Sequence, residues 1–492
     1  MRSSSALHHA VRPAIDLTDR QAYGALIAVI ILSTLAFSGL AYLKYSNLNN
    51  YAQDTALFGY AFHQTLHGRW LPAFVVERSL WGSHADVLMP LWLPVFWLVP
   101  TIYSLFLFQS LSISLAAWPT YLLARRVTGD RLAGLLAASG LLLYPPVARV
   151  HVMELHDDAS GLVFLLFAFY FFQQRRFAVF AGFLAVSLFA KETIFLNTVF
   201  FSVYALIERR NWRWVAFPVV WSAAYFLLVR LAVMPAWGDW WGGRLYDQAQ
   251  YFQEWGKTPG QVMGHMLLHP LHVWNVLVGV DRWKYLRWLL VPLWVALPFG
   301  SWAWVPALPN LAVNLLSSNA LLRAPTHWYS ILLGGQLWAS FVTALPFWNR
   351  RLTGWFGNRD YTRGLCAVVL LTCALQCGMW FHPTEYRRNS AYEAERQAME
   401  GIPRQATVLA PDNLLAALSD RAGINSLTAL RVYGQNQRRV LEYDYIIFDG
   451  NYSTAAEVLP VEQRLFDIIR TDANYRLVFA RDNVFMFQQI PK

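Results

Sequence analysis

The 22 residues from Ala22 to Leu43 carry no charged side chain. A helix of about 20 apolar residues crosses the roughly 30 Å hydrocarbon core of a bilayer, so this run predicts a first transmembrane helix. Arg2, Arg12 and Arg20 precede it. The start is too polar, and the run too long without a small-residue cleavage site, for a removable leader. We read an uncleaved helix with its N-terminus in the cytoplasm. Further apolar runs cover 101–124, 132–148, 159–173, 177–190, 194–207, 214–234, 285–299, 302–317, 330–347 and 364–380, which makes eleven expected spans. The composition agrees: 14% of the 492 residues are charged, against about 25% in soluble proteins. A disordered chain, a collagen-like chain and a typical cytosolic enzyme are excluded.

The net charge of +10 comes from the apolar part of the chain. Residues 1–380 hold 27 Lys and Arg against 16 Asp and Glu, whereas residues 381–492 hold 13 against 14. Fifteen of the 27 lie in the N-terminal tail or in short clusters at alternate connections: Arg125, Arg126 and Arg131; Arg175 and Arg176; Arg209, Arg210 and Arg213; Arg350, Arg351, Arg359 and Arg363. Basic residues concentrate in cytoplasmic loops, so these connections are expected inside, and nucleic acid is not needed to explain the charge. Ala85 to Val99 breaks the alternation. It is short and contains Pro90 and Pro94, with Pro100 following, which reads as a re-entrant or interfacial segment, permitted where its backbone is buried in protein.

The expected organisation is therefore a cytoplasmic tail over 1–21, a transmembrane domain over 22–380 with outer loops 44–100 and 235–284, and an extracytoplasmic α/β domain over 381–492. Within the last, Ala406 to Leu409 and Tyr443 to Phe448 read as buried strands, Asp412 to Leu418 and Val461 to Ile469 as helices, and Tyr475 to Ala480 and Val484 to Gln488 as closing strands. It carries no phosphate-binding glycine loop, nucleophile elbow or metal-spaced cluster. Cys366, Cys373 and Cys377 fall in one apolar run and read as small buried hydrophobes. Trp237, Trp240, Trp241 and Trp255 in the second outer loop fit either an interfacial belt or a platform for sugar or lipid.

Ionisable groups beside apolar segments are costly and each needs a reason. With this topology they gather on the outer face: Asp54, His63, His67, His84, Asp86, Glu154, His156, Asp157, Asp158, Lys191, Glu192 and His327. Asp54 opens the amphipathic stretch Thr55 to His67, and is either a helix cap or a general base toward an acceptor hydroxyl. Asp157 and Asp158 fit a helix start, or, with Glu154 and His156, a cation site suited to Mg or Mn. Lys191 and Glu192 fit an ion pair at a tight turn, or a point charge for phosphate. Arg149, Arg244, Arg282 and Arg323 read as interface anchors, although a lipid-linked phosphate would need one cationic clamp.

The order of these motifs resembles the DUF2079 family of predicted bacterial membrane proteins, which is similar to the GT-C class of polyprenyl-phosphate-sugar-dependent glycosyltransferases. The likeness rests on Asp54 with Phe58 to Gly68, His84 with the stretch to Pro100, Pro119-Thr120-Tyr121 with Ala124-Arg125-Arg126, Glu154-Leu155-His156, Ala190-Lys191-Glu192 and His327-Trp328-Tyr329. It extends to Ile402-Pro403, Val408-Leu409-Ala410, Leu418-Ser419-Asp420-Arg421 and Tyr443 to Ile447. The resemblance implies a GT-C-like helical polytopic protein of the bacterial inner membrane that moves a sugar from a polyprenyl-phosphate donor to an extracytoplasmic acceptor. It implies Asp54 as base, with His84, Glu154, His156, Asp157, Lys191, Glu192, His327 and Tyr329 lining the substrate site. A lipid-linked glycan flippase and a non-catalytic envelope scaffold are the alternatives.

Overall fold

A capping box starts the first helix, Asp19–Ser46: the Gln21 amide donates to the Thr18 hydroxyl while the Gln21 side chain accepts from the Thr18 amide. Its 28 residues span about 42 Å, enough to cross a bilayer. The computed structural model describes residues 16–74, 79–238, 251–325, 327–357, 359–427, 442–452 and 459–491. Trp240, Trp241, Arg244 and most of the N-terminal tail lie outside the described residues.

The chain is mostly helical, a multi-pass membrane protein in which five helices are long and apolar enough to cross a membrane: Asp19–Ser46, Ile102–Thr128, Trp212–Trp237, Trp328–Phe356 and Thr362–Trp380. The pair Arg131–Leu143 and Pro145–Val152, bent by 57°, makes a sixth if counted as one broken span. The expected count of eleven is not reproduced by helices of spanning length among the described residues. The physical reason is local. The expected spans 159–173 and 177–190 fold as the helices Gly161–Gln173 and Phe177–Ser187, only 13 and 11 residues long, joined by a turn with Arg175 at a φ of 58°. The run 194–207 divides into Phe195–Thr198 and Phe201–Ile207. The runs 285–299 and 302–317 are interrupted at Pro292, Pro298 and Pro306 by 3₁₀ turns, because proline removes a helix donor.

The basic clusters meet at one end of the bundle. Asp19 pairs with Arg125 and Arg131 at 2.8 Å, and Asp130 with Arg363 at 2.6 Å. Arg126 and Arg210 donate to the carbonyls of Gln173 and Phe172. The opposite end of the first helix carries Lys44, which pairs with Glu385. Ala85 to Val99 folds as a 3₁₀ turn, Met89–Trp92, and a six-residue helix, Leu93–Leu98. It is sewn into the bundle where the Val87 and Leu88 amides donate to the Phe189 carbonyl.

The C-terminal part builds a five-stranded sheet in the order β2-β1-β3-β5-β4, from β1 (Thr407–Ala410), β2 (Gly423–Ser426), β3 (Tyr445–Asp449), β4 (Tyr475–Arg481) and β5 (Val484–Gln489). β1 lies parallel to β2 and β3, whereas β5 is antiparallel to β3 and β4. Asp482 and Asn483, both at positive φ, close the β4–β5 hairpin, the conformation a two-residue turn needs. β2 was not expected from the sequence.

One apolar core joins this sheet to the membrane helices: Ala56, Phe62, Phe96 and Phe106 pack with Leu414, Leu418, Ile447 and Met486. Gly59, in the helix Gln53–Leu66, sits at the tightest point, where an added Cβ would lie 2.6 Å from Ile102 Cγ2 and 2.8 Å from Ser419 Oγ. Overpacking of this kind costs about 1–3 kcal/mol. Gly59→Ala should therefore lower the melting temperature measurably in detergent, while an alanine at the open Gly24 should not.

Several expected roles change. Trp255 is buried in a small core with Val262 and Val276 and donates to the Leu316 carbonyl, so it does not form a platform. Arg323 is not an interface anchor. It is buried and braces Asp281 and the carbonyls of Asn314 and Ser317 at 2.8–2.9 Å. Arg282 pairs with the same Asp281. The three cysteines are buried and free, as packing residues.

Candidate functional site

Every residue from Tyr144 to Val163 is buried, and this long polar-bearing segment forms one wall of the site. Its backbone is held by Gln109, which donates to the carbonyls of Val150 and Glu154 and accepts from the His156 amide at 2.8 Å. Gln109 was not singled out in the sequence. The signal was there: a polar amide in a helix otherwise apolar enough to span needs partners.

Glu154 settles the local role of Asp54. The helix Gln53–Leu66 has no side-chain cap of its own, and Asp54 is its second residue rather than its cap. The Glu154 carboxylate supplies the missing acceptor from 100 positions away, taking the amides of Asp54 at 2.5 Å and Thr55 at 3.1 Å. No donor among the described residues bonds the Asp54 carboxylate, which faces the cavity. Burial raises Asp54 from its ordinary value to about 6, with Lys191 pulling the other way. Burial, reinforced by the Asp54 charge, also holds Glu154 well above the usual carboxylate range.

The third wall comes from the turn after Phe177–Ser187. Lys191 Nζ lies 2.9 Å from Asp157 Oδ1, both nearly buried. Burial opposes the lysine charge, but Asp157, Asp158 and Glu192 outweigh it and keep the ammonium well above its ordinary pKa. Burial lifts Asp158 to about 7. His84 Nδ1 sits 2.8 Å from Glu192 Oε1, and the other Glu192 oxygen accepts from the Ala85 amide. Burial pushes Glu192 up, yet His84 and Lys191 bring it below the ordinary value. The His156 ring stacks on Trp328 with centroids 3.3 Å apart, and Trp328 continues to His327 and Tyr329. Burial keeps both His156 and His327 below the usual histidine range.

These walls enclose a cavity of about 1100 Å³. It is lined by Asp54, His84, Glu154, His156, Asp157, Lys191, His327 and Tyr329, with Asp86 and Asp158 beside them. Glu192 stands behind His84 as its partner. His63 and His67 are not brought in; His63 packs on Phe96 and its carbonyl meets His67 Nδ1. Residues not singled out in the sequence also line the cavity, among them Lys44, Glu385, Asn197 and Asn310; Asn310 donates to Asn197, which donates in turn to the buried Gln336. For a divalent metal the carboxylates are poorly arranged: Asp157 is spent on Lys191 and Glu154 on two amides. Among the described residues no three His, Cys, Asp or Glu side chains converge as a metal set, and we derive no step through Mg or Mn.

The family of predicted membrane proteins termed DUF2079 matches residues 44–486. The chain belongs to this family. The DUF2079 fold seen here is also that of ArnT from Cupriavidus metallidurans, a GT-C-like architecture. The undecaprenyl-phosphate-bound ArnT structure matches at a TM-score of 0.58 and 12% identity, covering 96% of this chain and 99% of that one. The apo ArnT structure matches at 0.56 and 12%, covering 95% and 98%. No curated protein sequence matches the chain.

Proposed function

We propose that this DUF2079 protein is a glycosyltransferase of the bacterial inner membrane that moves a sugar from a polyprenyl-phosphate donor to an extracytoplasmic acceptor. One observation carries the reading: in a chain with the fold of ArnT, a protein crystallised with undecaprenyl phosphate, the Asp54 carboxylate lines a large cavity with no hydrogen-bond donor among the described residues. In the proposed reaction the acceptor hydroxyl oxygen bonds to the anomeric carbon and gives its proton to Asp54. The anomeric carbon–oxygen bond to phosphate breaks, and the polyprenyl phosphate leaves with the electron pair. His84, held by Glu192, and the His327-Trp328-Tyr329 shelf line the cavity as sugar-contacting groups. With the basic end of the bundle inside, the cavity and the C-terminal sheet face outward.

A flippase would need polar lining at both ends of the bundle. The cavity groups instead lie at the end opposite the arginine clusters. The deciding measurement is lipid selectivity by native mass spectrometry in detergent. Undecaprenyl phosphate should bind in clear preference to phosphatidylglycerol; equal binding of the two overturns the proposal. A pH profile gives a second check. A base works only when deprotonated, and Asp54 is raised to about 6, so turnover should fall as pH drops through about 6 rather than through the ordinary carboxylate range near 4. A profile flat down to pH 5 would remove Asp54 from proton transfer.

A further inference from the structure

The cavity has two electrostatic ends, and they are unequal to the task of holding phosphate. Around Lys191 stand Asp157, Asp158 and Glu192, with Asp54 and Asp86 within electrostatic reach. A dianion placed there meets more negative charge than positive. The other end is different. Lys44, at the end of the first helix, and Arg149, in the second member of the bent pair, are ion-paired with one carboxylate, Glu385, while Glu154 lies within electrostatic reach of Lys44 with its carboxyl held well above the usual range by burial. Both cations are nearly buried, with side-chain exposures of 8% and 3%.

We propose that Lys44 and Arg149 form the seat for the phosphate of the lipid-linked donor, and that Glu385 is an internal oxyanion which occupies the seat until the donor displaces it. This rests on the transferase reading above. The geometry supports the displacement. Glu385 Oε2 lies 2.8 Å from Lys44 Nζ and Oε1 lies 3.4 Å from Arg149 Nη2, so its two oxygens bridge the cations as two phosphate oxygens would. Arg149 Nη1 is fixed on the Trp380 carbonyl at 2.6 Å. Its Nε is buried with no acceptor among the described residues. Glu385 is the most exposed of the three side chains, at 21%. Its main chain is anchored separately, the carbonyl accepting from Asn50 and Asn47, so the carboxylate can leave without unseating its turn, Pro383–Tyr386. Two cations share one ion-paired carboxylate, and all three residues line the cavity.

The test compares full-length wild type with Glu385→Gln, Glu385→Ala and Lys44→Gln by native mass spectrometry in detergent. The probes are undecaprenyl phosphate, phosphatidylglycerol and inorganic phosphate. A seat occupied by its own chain weakens binding in proportion to the time it is closed, so Glu385→Gln should bind undecaprenyl phosphate about tenfold more tightly. Glu385→Ala should do the same, and Lys44→Gln should bind it more weakly. A gain in affinity is not an effect that misfolding produces. No gain in either Glu385 variant, or an equal gain for phosphatidylglycerol, overturns the proposal. Failure of the two readings separates cleanly. If no form binds undecaprenyl phosphate but Glu385→Gln takes up inorganic phosphate more tightly than wild type, the seat stands and the polyprenyl donor falls. If wild type is selective for undecaprenyl phosphate and the Glu385 variants leave that affinity unchanged, the donor stands and the seat falls.

Discussion

Asp54→Asn should abolish sugar transfer while the protein melts at the wild-type temperature and still binds undecaprenyl phosphate. A positioned base is worth about 10²–10⁴ in rate, and the amide keeps the shape of the side chain while removing its basicity. Stability should survive because the helix Gln53–Leu66 does not rely on this carboxylate. Its amides are served by Glu154. The check is a turnover assay alongside a detergent melt and a lipid-binding measurement on the same preparation. Wild-type turnover in Asp54→Asn removes Asp54 from the mechanism. Loss of both turnover and melting temperature would instead make Asp54 a structural residue.

Lys191→Ala should be the most damaging single change to stability. Lys191 ties the turn after Phe177–Ser187 to the buried wall at Asp157. Removing one partner of a buried pair leaves the other charge unmatched, at a cost of about 3–5 kcal/mol. The double variant Lys191→Ala with Asp157→Asn should recover most of the lost melting temperature, because the orphaned charge is gone. If the double variant melts as low as the single one, the lysine contributes packing rather than charge. On the reading above, Lys191→Ala should leave undecaprenyl phosphate affinity less affected than Lys44→Gln, provided both variants are measured well below their melting temperatures.

Much of the cavity lining was legible because expensive residues announce themselves. A lysine, a glutamate or an aspartate beside an apolar run needs a reason, and eight of the nine expected site residues line one cavity while the ninth, Glu192, supports His84. What was not legible depended on pairings across the chain. Lys44 reads as the polar end of a helix until it is placed beside Glu385, 341 positions away. Asp54 taken alone reads as either a cap or a base until Glu154 is found bonding the helix amides. The same limit applies to the fold. The longer apolar runs gave helices of spanning length, but the shorter runs near Lys191 and Pro298 broke, because the polar turns and prolines between them bend the chain back into the protein. β2 escaped notice because Gly423-Ile424-Asn425-Ser426 contains one strong strand former, and its place is fixed by the register with β1.

The shared core between Gln53–Leu66 and the C-terminal sheet has a consequence for how the protein comes into being. The helix that carries Asp54 is synthesised well before Leu414, Leu418, Ile447 and Met486, which complete its packing. Until then its buried face has no cover, and Glu385 has not arrived at Lys44. A nascent chain therefore inserts the helix Gln53–Leu66 with one face of its packing still missing, and the wall that this helix gives the cavity is completed only when the C-terminal sheet docks.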